Sequence, residues 1–313
     1  MNSIALAIDM GGSKYMVGLV DRQGHILAKR REVWTNLTAD GVAEDVVKAA
    51  HSLLNAHPDI SPQVIGATIP GLADPWKGLW MEASFSGIRN LPIAKNLETA
   101  FGLPAYVDND GQACALAEKM FGACQNTTDF LYLTVSNGIG GSIWVHDRLV
   151  YGGDFTAGEF GHCTVVEDGR PCKCGKKGCL EMYAAGPGLS QTYAELGGAP
   201  LPDGRPADGV EIARRAREGE QIALHVFELE GTYLGRIIAM SCNLLNPRKV
   251  ILGGGLSLAF SLYETSLKDT LKKHMYLAAN PSLVVQPTTL GYDGGLLGAA
   301  AVSFSRLEHL YEG

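Results

Sequence analysis

Ile4-Ala5-Leu6-Ala7-Ile8-Asp9-Met10-Gly11-Gly12-Ser13-Lys14-Tyr15-Met16-Val17-Gly18-Leu19-Val20-Asp21-Arg22-Gln23-Gly24-His25 opens the chain and continues to Arg31. It holds three short runs, Ile4–Asp9, Tyr15–Asp21 and His25–Arg31, linked by Met10-Gly11-Gly12-Ser13-Lys14 and by Arg22-Gln23-Gly24. Connections this short, with glycine in each, are hairpin turns, so the spacing predicts three antiparallel strands. A dinucleotide-binding fold would instead send its first strand into a helix.

Further along, the pattern predicts a helix over Ala39–Ala56 and a buried strand Val64–Ile69 ending in Pro70-Gly71-Leu72-Ala73-Asp74. A helix near Ile93–Phe101 and a strand Pro104–Val107 lead to Asn109-Asp110, which opens a helical run through Phe121. Strands return at Phe130–Val135 and Gly141–His146, and a long helix runs from about Glu220 to Leu245. The strand Val250–Leu252 runs into Gly253-Gly254-Gly255, and a strand near Val284–Gln286 precedes the closing segment Gly291–Ser305. Two stretches share a scheme, Ile8-Asp9-Met10-Gly11-Gly12 and Thr134-Val135-Ser136-Asn137-Gly138-Ile139-Gly140-Gly141. Each is an apolar strand ending in glycines beside a polar residue, which implies a duplicated α/β unit with a cleft between the copies. At 313 residues, about two domains are expected. The reading divides them into 1–117, completed by a C-terminal helix at about 300–313, and 118–299.

A net charge of −7 with no basic stripe argues against nucleic acid as the main partner. No window reaches the ~18 uncharged apolar residues of a membrane span. Met1-Asn2-Ser3 runs straight into the first strand, so no signal peptide is expected. Seven cysteines, an odd number, do not make a disulfide framework, and Cys114, Cys124, Cys163 and Cys242 sit in settings that suit buried thiols. A reduced, cytoplasmic protein is the expectation.

Four metal-ligating side chains are crowded together: His162, Cys172, Cys174 and Cys179. One imidazole and three thiols make a full set for tetrahedral zinc, and four protein ligands leave no open position for a catalytic water. Structural Zn²⁺ is therefore expected. Gly175 and Gly178 let the short loop turn back on the ion. Glu159 and Glu181 bracket the cluster.

Elsewhere, Gly11, Gly12 and Ser13 offer backbone N–H groups to a phosphate, and Lys14 adds a charge. Asp9 at the strand end suits Mg²⁺ or one of its waters. Gly138, Gly140 and Gly141 form a second such loop, and two loops could grip a triphosphate as phosphoryl transfer requires. Gly253-Gly254-Gly255 would let a base or ribose approach the backbone. Asp110 is the candidate general base, although Asp at a helix start is also a favoured N-cap residue. Asn109 could fix a sugar hydroxyl through its amide.

Together these motifs resemble the ROK family (repressors, open reading frames and sugar kinases) of the actin-like ATPase superfamily. Asp9 to Lys14 is similar to its first phosphate motif and Asn109-Asp110 to its catalytic pair. Gly158-Glu159-Phe160-Gly161-His162, with Cys172, Cys174, Cys179 and Glu181, is similar to its metal and sugar signature. Val250 to Gly255 and Asp293 to Ala300 resemble its adenosine region. The resemblance covers essentially the whole chain. It implies a two-lobed α/β fold of the actin-like, ribonuclease H-like kind, with a duplicated mixed-sheet unit and a zinc loop. It implies an ATP- and Mg²⁺-dependent kinase acting on the terminal (6-) hydroxyl of a hexose or N-acetylhexosamine, with Asp110 as base. Gly71, Asn109, Asp110, Glu159, His162 and Glu181 would contact the sugar, with one ring nitrogen of His162 on zinc and the other on sugar. Asp9, Gly11, Gly12, Ser13, Lys14, Asn137, Gly138, Gly140, Gly254 and Gly255 would hold the nucleotide and its Mg²⁺. A homodimer or higher homo-oligomer is expected, with a small-molecule sugar as partner.

Two stretches depart from the family pattern. Its usual Gly-Thr-Gly-x-Gly reads Ser136-Asn137-Gly138-Ile139-Gly140, and the stretch usually carrying Asn-Leu and Trp reads Ala83-Ser84-Phe85-Ser86-Gly87-Ile88-Arg89. The competing reading is a sugar-sensing protein without catalysis, such as a repressor core. A strand beginning at residue 4 leaves no room for a preceding helix-turn-helix, and a pure sensor has no need of Asp110. A zinc hydrolase is disfavoured by the closed ligand set.

Overall fold

The computed structural model describes residues 3–83 and 86–309, so Ser84 and Phe85 of the divergent stretch lie outside the described residues. In chain order the elements begin β1 (Ile4–Met10), β2 (Lys14–Asp21), β3 (Ile26–Val33), α1 (Ala39–Ala56), β4 (Val64–Ile69) and β5 (Leu72–Asp74). Next come β6 (Leu79–Ala83), β7 (Ile88–Leu91), α2 (Ile93–Phe101), β8 (Ala105–Asn109) and α3 (Asp110–Met120). They continue with β9 (Phe130–Val135), β10 (Ile139–Val145), β11 (Arg148–Val150), α4 (Glu181–Ala184), α5 (Gly186–Glu195) and α6 (Gly209–Arg217). The last are α7 (Gln221–Leu245), β12 (Lys249–Gly253), α8 (Phe260–His274), β13 (Val284–Pro287) and α9 (Gly294–Leu307).

The described residues as far as Thr127, with 147–157 and those from Thr289 onward, form one unit; 128–146 and 158–288 form the other. In the first, the sheet order is β3-β2-β1-β4-β8. β1, β2 and β3 pair antiparallel, as the two glycine turns require, and β4 and β8 add in parallel to β1. Parallel strands need a crossover between them, and α1 and α2 supply it. Helix α1 starts at Thr38, whose hydroxyl accepts from the Gly41 N–H. It buries Val42, Val46, Ala49 and Leu53, a stripe at helical spacing. That stripe joins Leu6, Ile8, Val17, Leu19, Ile65 and Val107 in one core.

The second unit repeats the plan. β9 pairs antiparallel with β10 and parallel with β12, and β12 pairs parallel with β13. Its own core is built from Leu131, Leu133, Val250 and Leu252 under α7 and α8. The mixed-sheet unit is therefore duplicated.

The sequence boundary at 117/118 falls inside α3. That helix belongs whole to the first unit, because α9 lies on it and on β4 with almost no space between. A Cβ on Gly298 would come 2.9 Å from the Ala113 carbonyl carbon, and one on Gly66 only 1.8 Å from the Ala299 oxygen. The C-terminal contribution thus begins at Thr289 and not near 300. A small sheet of β5, β6 and β7 also forms, anchored by the fully buried Trp80, whose Nε1 donates to the Pro70 oxygen at 2.9 Å. Its strands are too short for alternation to announce them.

None of the seven cysteines forms a disulfide, and Cys114 and Cys163 are only partly buried while Cys124 and Cys242 are buried. Among the described residues no helix is long and apolar enough to cross a membrane.

One core position is an outlier. Glu230 of α7 is 1% exposed, yet neither carboxylate oxygen meets a protein donor among the described residues. Burial drives its pKa well above the ordinary value. The folded state therefore holds this proton more tightly than the unfolded chain does. Stability from this group is complete below the unfolded value of about 4.3 and falls as pH rises toward the folded value. Glu230→Met is expected to be more stable than the parent, with an advantage growing by up to about 1.4 kcal/mol per pH unit above ~4.3. Urea unfolding at pH 5 and pH 8 measures this. An advantage that does not change with pH would refute it.

Candidate active site and metal centre

The parallel register aligns the carboxyl ends of the first unit's strands. Asp9 on β1 is level with Thr68 on β4, and Thr68 is level with Asp108 on β8. The Thr68 hydroxyl donates to Asp9 Oδ1 at 2.8 Å. Gly295 of α9 stands over the other side of this carboxylate, where a Cβ would come 2.5 Å from Oδ2. Burial raises the Asp9 pKa, partly offset by the Thr68 hydrogen bond and by the Lys14 charge. A carboxylate in such a setting gains from a divalent cation, so Asp9 fits Mg²⁺.

Beyond Asp9 the chain turns sharply. Gly11 N–H donates to the Lys14 oxygen at 2.9 Å, and Trp34 Nε1 donates to the Gly11 oxygen at 2.8 Å. Gly12 and Ser13 are exposed, and Gly12 faces open space where a side chain would begin. Lys14 is engaged: its Nζ donates to the Tyr292 hydroxyl at 2.7 Å, which Arg31 reaches at 2.8 Å.

Two strands away, Asn109 is the N-cap of α3 and Asp110 its first residue. Asn109 Oδ1 accepts from the Gly111 N–H at 2.9 Å, and its Nδ2 donates to the Gly71 oxygen at 2.6 Å. The capping role that could have explained Asp110 is thus filled by its neighbour, although Asp110 Oδ1 also accepts from Gly111 at 2.8 Å. The Asn109 amide ties down Gly71, which sits at φ +87° with the Glu82 oxygen 2.3 Å from where a Cβ would be. Gly71, Asn109 and Asp110 are one hydrogen-bonded group.

In the second unit, Gly158-Glu159-Phe160-Gly161-His162 lies flat on β10, and its glycines explain how. A Cβ on Gly161 would come 2.0 Å from the Ile139 oxygen, and one on Gly158 (φ +103°) 2.2 Å from the Gly141 oxygen. Only glycine permits that approach. Held there, Glu159 Oε2 lies 3.7 Å from His162 Nε2. Burial raises the Glu159 pKa; the nearby His162 lowers it and Glu181 raises it. Glu159, His162 and Glu181 are therefore neighbours. Glu181 Oε2 also accepts from the Ile139 N–H at 3.3 Å and lies 2.7 Å from where a Gly138 Cβ would be. The second glycine loop and the zinc-loop carboxylate meet.

Asn137 and Gly138 lie in a turn closed by Ser136 N–H to the Gly138 oxygen at 2.9 Å, whereas Gly140 is on β10 opposite Thr134. Gly254 (φ +79°) packs on the end of β9, 2.4 Å from the Val135 oxygen at its would-be Cβ, and Gly255 faces the Ser136 hydroxyl. Gly254 and Gly255 thus border Val135 and Ser136, where the Asn137-Gly138 turn begins.

The metal-ligating atoms of His162, Cys172, Cys174 and Cys179 all lie within 4.8 Å of one another. The Cys174 and Cys179 sulfurs are 3.6 Å apart, as are the Cys172 sulfur and His162 Nδ1. Tetrahedral zinc with Zn–S near 2.3 Å and Zn–N near 2.0 Å requires edges of about 3.5–3.8 Å. The four residues fit zinc.

Sequence reasoning did not single out Thr68, which bonds Asp9, or the buried Asp108, whose Oδ2 accepts from the Tyr151 hydroxyl, to which Arg306 donates. The run Asp108-Asn109-Asp110 at a strand end carried a signal, since a strand-terminal carboxylate needs donors. Tyr151 and Arg306 lie too far along the chain to be found without the fold.

The ROK family profile matches residues 5–305. The glucokinase of Halalkalibacterium halodurans is 32% identical over 311 residues, covering 94% of this chain and 92% of that protein. A ROK family glucokinase from Streptomyces griseus, solved with glucose and AMPPNP, superposes with a TM-score of 0.85 at 29% identity, over 97% of this chain and 100% of that one. The DNA-binding transcriptional repressor Mlc of Escherichia coli is 28% identical over 242 residues, 76% of this chain but 60% of that protein.

Proposed function

This chain belongs to the ROK family, and from that premise we propose that it is an ATP-dependent sugar kinase that phosphorylates the 6-hydroxyl of a hexose or N-acetylhexosamine. The observation that carries this reading is the state of Asp110. Its carboxylate stands at the first position of α3 while Asn109 caps the helix. A carboxylate at that point can take the hydroxyl proton as the sugar oxygen attacks the γ-phosphorus.

Gly71, Asn109, Asp110, Glu159, His162 and Glu181 are assigned to the sugar. Asn109 acts chiefly by holding the Gly71 carbonyl and the start of α3. Gly11, Gly12, Ser13, Lys14, Asn137, Gly138 and Gly140 are assigned to the phosphates and Gly254 and Gly255 to the nucleoside. Asp9 would hold Mg²⁺, which when bound neutralises charge on the transferring phosphoryl group. His162, Cys172, Cys174 and Cys179 would hold zinc, which shapes the loop presenting Glu159 and Glu181.

A sugar-sensing protein is the second reading, supported by the likeness to Mlc. ADP release measured against a panel of hexoses, ketohexoses and N-acetylhexosamines decides between them. The kinase reading expects turnover with at least one sugar. Sugar binding without ADP release across the panel would favour the sensor.

A further inference from the structure

Residues 147–157 follow β10 in sequence, yet they pack within the first unit, against the segment that carries Asp110. Polar contacts join this strap to β8 and α3. Asp147 pairs with the almost fully buried Lys119 of α3. The Tyr151 hydroxyl donates to Asp108 Oδ2 at 2.7 Å, and Gln112 Nε2 donates to the Ala157 oxygen at 3.0 Å. Tyr151 is itself fixed from three sides. Arg306 of α9 donates to its hydroxyl at 3.1 Å, and Trp76 meets its ring edge-on at 4.6 Å. Trp76 in turn stacks on Phe155 of the strap at 5.0 Å and carries the Arg306 guanidinium at 4.3 Å.

Asp108 is 1% exposed and follows Val107 in the core of the sheet. A carboxylate there costs more than an apolar side chain of similar size unless every oxygen is satisfied. Both oxygens are: Oδ2 accepts from Tyr151, and Oδ1 accepts from the backbone N–H of Asn109 at 2.8 Å. The second bond falls on the residue immediately before Asp110. The chain of contacts therefore runs from α9 through Arg306, Tyr151 and Asp108 to the backbone that aims Asp110.

We infer that Asp108 and Tyr151 are positioning residues, which fix the peptide of Asn109 and so the direction of the Asp110 carboxylate. The inference rests on Asp110 as the general base of the kinase reading. Among the described residues, the charged or titratable side chains facing Asp108 are Tyr151 from the strap and Arg306 from α9. Burial pushes the Asp108 pKa up to about 6, with the Tyr151 hydroxyl, the Arg306 charge and the Asn109 N–H holding it from going higher. Its hydrogen-bonding state changes near that pH, in a range where an ordinary carboxylate is already ionised.

Tyr151→Phe removes one donor and leaves the ring packing in place. With the sugar found in the panel, its kcat is expected to fall about tenfold, as a small misalignment of a reacting group does, with sugar KM within about twofold. The acid limb of kcat is expected near pH 6 in the parent and displaced upward in Tyr151→Phe, because the carboxylate has lost a donor. Asp108→Asn, whose oxygen can still accept from Asn109, is expected to lose that limb and keep more of its kcat at pH 8 than Asp108→Ala. Amide exchange at 109–112 is followed in the same proteins and is expected to accelerate in Tyr151→Phe without a matching change in Tm. An unchanged kcat and an unchanged acid limb in folded Tyr151→Phe would overturn the inference. Should the parent release no ADP with any sugar, the kinase reading fails by itself. Positioning then stands or falls on whether exchange at 109–112 accelerates.

Discussion

Asp110→Asn is expected to lower kcat by about a hundredfold or more while the sugar KM moves only a few-fold. The substitution keeps the size and shape of the side chain, and its Oδ1 can still accept from the Gly111 N–H that Asp110 holds now at 2.8 Å. Asn109 remains the cap of α3, so the helix start survives. Loss of a first-turn negative charge costs only about 0.3–1 kcal/mol of stability. What the amide cannot do is accept a proton from an attacking hydroxyl. Steady-state kinetics with the preferred sugar, beside a thermal melt confirming the fold, make the comparison. A near-parental kcat would remove Asp110 from the chemistry.

The second large effect concerns the metal. One zinc per chain is expected, and Cys174→Ser is expected to abolish it while raising the sugar KM at least about tenfold. Cys174 is the choice because it is exposed, whereas Cys172 and Cys179 are buried. Its replacement opens no cavity in the core, so a fall in stability reports the lost metal. The sugar effect follows from continuity of the loop. Leu180 N–H donates to the Cys163 oxygen at 2.8 Å, one residue from His162, and Glu181 comes next. A loop released at its metal end would let Glu159, His162 and Glu181 drift apart. Elemental analysis finding no zinc in protein purified without chelator would end this account, and an unchanged KM in a zinc-free variant would separate the metal from the sugar site.

The legible part of this protein lies where local chemistry has few solutions. Met10-Gly11-Gly12-Ser13-Lys14 can hardly be other than a turn, so the first hairpin was readable. Three thiols and an imidazole within eighteen residues have few uses other than a closed metal site, and the structure gathers their ligand atoms within 4.8 Å. Asn109 was harder. Its amide reads as a contact for a sugar hydroxyl, with capping weighed only for Asp110; that Asn109 caps α3 and reaches the Gly71 carbonyl, 38 residues earlier in the chain, is visible only in the fold.

By itself, then, the sequence determined the antiparallel opening, the alternation of strands and helices, the glycine turns and the metal ligand set. Each depends on backbone geometry or side-chain chemistry over a few residues. Tertiary structure alone decided that α9 lies on Gly66 and Gly298, and that 147–157 returns to the first unit. It also decided that Asp108 finds a donor in Tyr151, 43 residues away, and a balancing charge in Arg306, 198 residues away. The physical reason is that a buried carboxylate specifies only that donors must surround it, not where in the chain they come from. Which donors arrive is set by sheet register and helix packing, and these emerge only when the whole core closes.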